Sequence, residues 1–73
     1  MHYKDDVVYG GNKYYVSTNN TPDRGWETMI FKYSKDGNID WGELHSRLHP
    51  NEESAKQHHT EVVSNIADYL EDK

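Results

Sequence analysis

A chain of 73 residues holds one domain at most, residues 1–73; at that size only about 60% of the unfolded surface is buried, so the core is thin and dimerisation is an obvious supplement. The hydrophobic fraction of 33% alone would read as disorder, but two Trp, six Tyr and one Phe bring large burial areas with tips that tolerate water. With no cysteine there is neither a disulfide framework nor a Cys-type zinc site, a net charge of -5 disfavours nucleic acid, and no apolar run has signal-peptide or membrane-span length, so a soluble, cytoplasmic protein is expected.

The chain spells strand and turn before Pro50 and helix after it. Asp6 to Thr18 reads as a hairpin: Val7, Val8 and Tyr9 favour one strand and Tyr14, Tyr15 and Val16 the other. Gly10-Gly11-Asn12 between them accepts the positive φ of a tight hairpin turn. Asn19 to Gly25 is a polar loop with turn chemistry at Thr21-Pro22-Asp23. Trp26 to Ser34 is a third strand. Its alternation puts Glu27, Met29, Phe31 and Tyr33 on one face and Trp26, Thr28, Ile30 and Lys32 on the other. The first face looks more like the core side. Ile39 to Trp41 and Leu44 to His49 offer weaker material for a fourth strand.

From Pro50 or Asn51 onward the sequence is helical, with Glu52 and Glu53 at the positive end of the helix dipole. Ala55, Val62, Val63, Ile66 and Leu70 recur at helical spacing, and His59 lies on the same stripe. The expected fold is therefore α+β. A small antiparallel sheet of three or four strands, in the order β-β-β(-β)-α within about residues 5–48, carries a C-terminal helix over about residues 51–70 on one face.

Lys35 to Leu44, KDGNIDWGEL, resembles the back half of a calcium-binding EF-hand loop. With Gly37 at the sixth loop position, Asp36, Asp40 and Glu43 fall on ligand positions and Ile39 on the customary apolar one. The first position falls on Lys32, a cation with no oxygen to offer, and the preceding segment has strand composition. Asp36-Gly37-Asn38 is better read as the turn between the third and fourth strands.

Five further pieces occur in a meaningful order: YYVST (Tyr14 to Thr18), WETMIF (Trp26 to Phe31), DWGEL (Asp40 to Leu44), Arg47-Leu48, and EESAKQHHTEVV (Glu52 to Val63). Over roughly Tyr9 to Val63 the chain resembles a family of small uncharacterised proteins of phages, prophages and bacterial genomes. In that family a strand ends Val-Ser-Thr, and Glu-Thr-Met-[Val/Ile]-Phe and Asp-Trp-x-Glu-Leu segments precede a helix bearing a histidine. By position Glu27 matches the family glutamate and His59 the family histidine. His58 stands where the family usually has Gly, and Leu48 where it usually has Tyr. No activity is established for the family, so the resemblance implies a class and not a mechanism.

Two readings of Glu27 and His59 stand. In one they form a polar link between sheet and helix, since a carboxylate that loses water needs a partner. In the other Glu27 lies in solvent at the strand end and His59 is an ordinary half-buried histidine. The five histidines give poor metal-ligand spacing: His58 and His59 diverge by about 100° on a helix, and His45 and His49 would suit one ion only on a helix. No nucleophile elbow or phosphate loop occurs. We therefore expect no catalytic residues, no metal and no cofactor. The expected function is protein–protein interaction by an accessory protein of phage or mobile-element type, with an unknown protein or a second copy as partner, and without nucleic acid or membrane. Trp26, Ile30 and Trp41 are the candidate contact residues. An acidic mimic of nucleic acid and a small metal-binding or enzymatic domain are the alternatives; the carboxylates are scattered in pairs among lysines, which weakens the first.

Overall fold

The computed structural model describes residues 2–70. Strands β1 (His2–Tyr9), β2 (Asn12–Thr21), β3 (Gly25–Tyr33) and β4 (Ile39–His49) are followed by helices α1 (Glu52–Ser64) and α2 (Ile66–Leu70). The strands form one antiparallel sheet in the order β1-β2-β3-β4, so each pairs with its sequence neighbour. The fold is α+β as expected, and the fourth strand forms.

Local chemistry explains the connections. Gly10 and Gly11 take φ of 60° and 82°, the paired positive values that a two-residue hairpin turn demands, and Tyr9 and Asn12 close the hairpin on either side. Gly37 has φ of 91° in the β3–β4 turn. There its N–H donates to the Ser34 carbonyl at 3.0 Å, and the Asp36 carboxylate accepts from the Asn38 N–H at 3.1 Å. Asp36-Gly37-Asn38 is thus a turn, and the Asp36 carboxylate is committed to the backbone of that turn.

Asn51 caps α1: it is extended, and its side chain accepts from the Ser54 N–H at 2.9 Å. The single helix expected over residues 51–70 is interrupted at Asn65. Its backbone leaves the helical region, and its N–H still reaches the Glu61 carbonyl at 2.9 Å before Ile66 begins α2. The stripe is in place: Ala55, His59, Val62 and Ile66 are buried.

The helix covers the sheet face opposite to the one the sequence favours. Ile30, Val16, Thr28 and Thr18 are fully buried under it, with Val16 paired to Ile30 and Thr18 to Thr28. Tyr14, Val16, Ile30, Val62 and Ile66 form one cluster, rimmed by Val7, Val63, Tyr69 and Leu70. The physical reason is size. A helix presenting Ala55 and Val62 needs small, β-branched residues beneath it to come close. The bulky Tyr15, Phe31 and Trp41 satisfy one another on the opposite face: Trp41 stands edge-on to Phe31 with centroids 4.9 Å apart, and Tyr15 lies 6.2 Å from Phe31.

Candidate functional site

Three features of this scaffold carry chemistry. The first is a chain of polar side chains that runs between sheet and helix, from the exposed Asp5 through the buried His59, Thr18 and Thr28 to the half-buried His49. His59 on α1 places Nδ1 2.7 Å from the Thr18 hydroxyl and Nε2 2.8 Å from a carboxylate oxygen of Asp5 on β1. Thr18 lies 2.8 Å from the Thr28 hydroxyl, which lies 3.0 Å from Nε2 of His49 on β4. One proton arrangement satisfies every member with neutral imidazoles. His49 donates to Thr28, Thr28 to Thr18, Thr18 to His59 Nδ1, and His59 Nε2–H to Asp5. No buried side-chain nitrogen or oxygen among the described residues lacks a partner, which is what a polar network in a thin core requires.

The sequence-derived link between Glu27 and His59 is not made. Glu27 points to the other side of the sheet by strand alternation. It is buried there and accepts from Arg24 Nη2 at 3.0 Å and from the Ser46 hydroxyl at 2.9 Å. Each of the two residues is polar and buried, as the first of the two sequence readings had it, but each is satisfied by different partners on different faces. His59 takes Asp5 and Thr18. The signal that could have found them is the hydroxyl at Thr18, two residues beyond Val16 and so on the same helix-facing side.

Asp5, His59 and Thr18 have the outline of an acid–base–nucleophile triad. Thr18 is fully buried, and its hydroxyl meets the Thr28 hydroxyl as well as His59. The chain of bonds ties β1, β2, β3 and β4 to α1.

The second feature is a histidine cluster at the β4 side of the helix. His45 is held opposite Ile30, and His49 opposite Trp26. His58 comes from α1, and its Nε2 lies 3.3 Å from His45 Nε2. The His58 and His49 ring centroids are 4.9 Å apart, and Tyr69 of α2 stands edge-on to His58 at 5.4 Å. Burial, followed by the neighbouring charges of His49, Arg47 and His45, lowers the His58 pKa to about 4, with Glu61 acting in the opposite sense. His49 is lowered as well, first by burial and then by Arg47 and His45. Burial, then hydrogen bonding to Glu61, raises the Tyr69 pKa.

The third feature is the sheet face that the helix leaves open. Strand alternation from the paired registers puts Tyr15, Ser17, Glu27, Met29, Phe31 and Leu48 on it. The β3–β4 pairing shifts register between Ile30 and Lys32, and the extra length of β4 lays Trp41 over Phe31. Phe31 is buried, while Trp41 is 65%, Leu48 52% and Leu44 47% exposed. Of the three candidate contact residues, Trp41 alone lies here in the open. Ile30 is fully buried under α1 and is removed from the contact surface. Trp26 is half-buried on the helix side, 6.3 Å from the Tyr3 ring, so the strand side it shares with Ile30 is the core and not an interface. Leu44 and Leu48 were missed because β4 alternates weakly in sequence.

No family model, curated protein or solved structure matches this chain. No helix among the described residues is long and apolar enough to cross a membrane.

Proposed function

We propose that this protein works by non-catalytic protein–protein contact through the open face of its sheet, that the occupant is a second copy of the chain, and that it is an accessory protein of the phage or mobile-element type its sequence resembles. The observation that carries the reading is the exposure of Trp41, which stands over the buried Phe31, and of Leu44 and Leu48 further along β4, with no element among the described residues laid over them. A sheet with one covered face and one aromatic face is half of a two-layer packing. Exposed apolar patches of this kind mark contact surfaces, and Trp is enriched among residues that dominate binding energy.

Size favours self-association. The molecule measures 33 × 22 × 22 Å, so its long face is on the scale of the roughly 800 Å² that each partner of a standard interface buries. A core of five clustered apolar side chains gains most from a second layer supplied by the same surface. The non-catalytic part of the reading rests on the buried Thr18 hydroxyl.

Sedimentation velocity over a broad concentration range tests the proposal. The wild-type chain should reach twice its monomer mass, and a Trp41→Ser/Leu48→Ser variant should remain monomeric with an unchanged helical circular dichroism signal. A wild-type chain that stays monomeric throughout, or a variant that dimerises equally well, would overturn it.

A further inference from the structure

The histidine cluster has a capacity independent of the open face. We propose that His45 and His58 form a paired-imidazole site for a divalent transition-metal ion of the zinc or nickel type, clamping β4 to α1.

Zinc-type ions take imidazole nitrogens at about 2.0–2.1 Å, and two such ligands at a tetrahedral angle lie roughly 3.3–3.4 Å apart. The Nε2 atoms of His45 and His58 are 3.3 Å apart. Their ring centroids are 5.5 Å apart with the planes inclined by 35°, so the nitrogen tips converge while the rings diverge. An ion seated between and just outside the tips would meet both lone pairs with little movement.

The surroundings fix both rings. Tyr69 packs edge-on against His45 at 5.1 Å and against His58 at 5.4 Å, and His49 supports the far side of His58 at 4.9 Å. Such outer contacts orient ligating histidines. His45 and His58 come from different elements, so the pair is absent from the unfolded chain, and an ion bound there stabilises the fold. Both rings are half-buried, which leaves water a way to the outer coordination positions.

Among the described residues no three His, Cys, Asp or Glu side chains converge into a ready cage. Among the described residues His45 and His58 supply the two nitrogens of the proposed site. Glu61, one turn beyond His58, adds favourable charge, and Arg47 opposes it. The donor set selects for metals that accept imidazole and against magnesium and calcium, which take oxygen ligands.

The competing account of the same distance is a direct hydrogen bond from one Nε2–H to the other Nε2, with no affinity for metal. Titrating the full chain at neutral pH with Zn²⁺ separates the two, read from the imidazole resonances and the thermal midpoint. The expected result is saturation at one ion per chain, joint movement of the His45 and His58 ring signals with His59 unmoved, and a raised midpoint. Mg²⁺ should do nothing. His45→Gln and His58→Gln should each lose saturable binding while His2→Gln keeps it. The ring signals of the wild-type chain give the answer even if a variant unfolds. Absence of saturable change, or a response centred on other histidines, would overturn the proposal.

Discussion

Ile30→Ala probes the assignment of the two sheet faces. Ile30 is fully buried, paired with Val16 across β2 and clustered with Val62 and Ile66 of the helices. Truncation removes three carbons, worth about 2.4 kcal/mol at roughly 0.8 kcal/mol per buried methylene. The cavity left between sheet and helix brings the expected cost to about 3–4 kcal/mol. A domain of this length has a stability of roughly 4–11 kcal/mol at about 0.05–0.15 kcal/mol per residue, so the loss is about a quarter of the total or more. Trp41→Ala removes a larger side chain that is 65% exposed, and the isolated chain should lose only about 1 kcal/mol, the share that covers Phe31. Urea unfolding followed by circular dichroism, at concentrations low enough to dissociate any oligomer, gives both values. An Ile30→Ala cost below about 1 kcal/mol, or one smaller than that of Trp41→Ala, would refute the placement of the core beneath the helix.

Two other outcomes are expected. His58 is lowered from 6.5 to about 4 in the folded chain, with His49 lowered beside it. Because the folded pKa lies below the unfolded one, the unfolded chain takes the proton first; stability is whole above about pH 6.5 and falls as pH drops from there towards 4. His58 is half-buried, so solvent still screens its charge; the expected loss is on the order of 1–2 kcal/mol, and His58→Asn should flatten that part of the profile in urea midpoints measured at several pH values; parallel profiles would contradict it. In histidine NMR spectra, Asp5→Asn should move the His59 ring-nitrogen signals and Glu27→Gln should leave them in place, since His59 meets Asp5 at 2.8 Å and Glu27 is held by Arg24 and Ser46.

Much of this fold is legible in the sequence because it rests on short-range rules. Gly10-Gly11 announces its turn through the φ values it alone accepts without strain, Asn51 its cap, and Ala55, His59, Val62 and Ile66 their stripe. Alternation sorts β3 into two faces correctly, but it is silent on which face a helix will choose. Bulk decided that, through Val16 and Thr18 on the neighbouring strand. The start of β1 was hidden because Lys4, Asp5 and Asp6 are poor strand formers, and an edge strand carries charge as protection against further pairing.

The candidate sites were less legible because they depend on long-range register. His59 was marked as a buried polar residue on the stripe, yet its partner Asp5 lies 54 positions away. The meeting of His45 with His58 depends on the irregular β3–β4 pairing, which nothing in the spacing of the histidines reveals. Trp41 reaches Phe31 by the same irregularity, so the open aromatic face emerged only with the sheet assembled.

We propose that a second copy of the chain covers that face. Isotope-filtered NOE spectroscopy on a mixture of labelled and unlabelled chains measures it directly. Contacts between copies should run from Trp41, Leu44, Leu48 and Met29 to the same set across a two-fold axis. Contacts that run instead from the outer surface of α1, or none at all at concentrations where the chain is folded, would contradict the account.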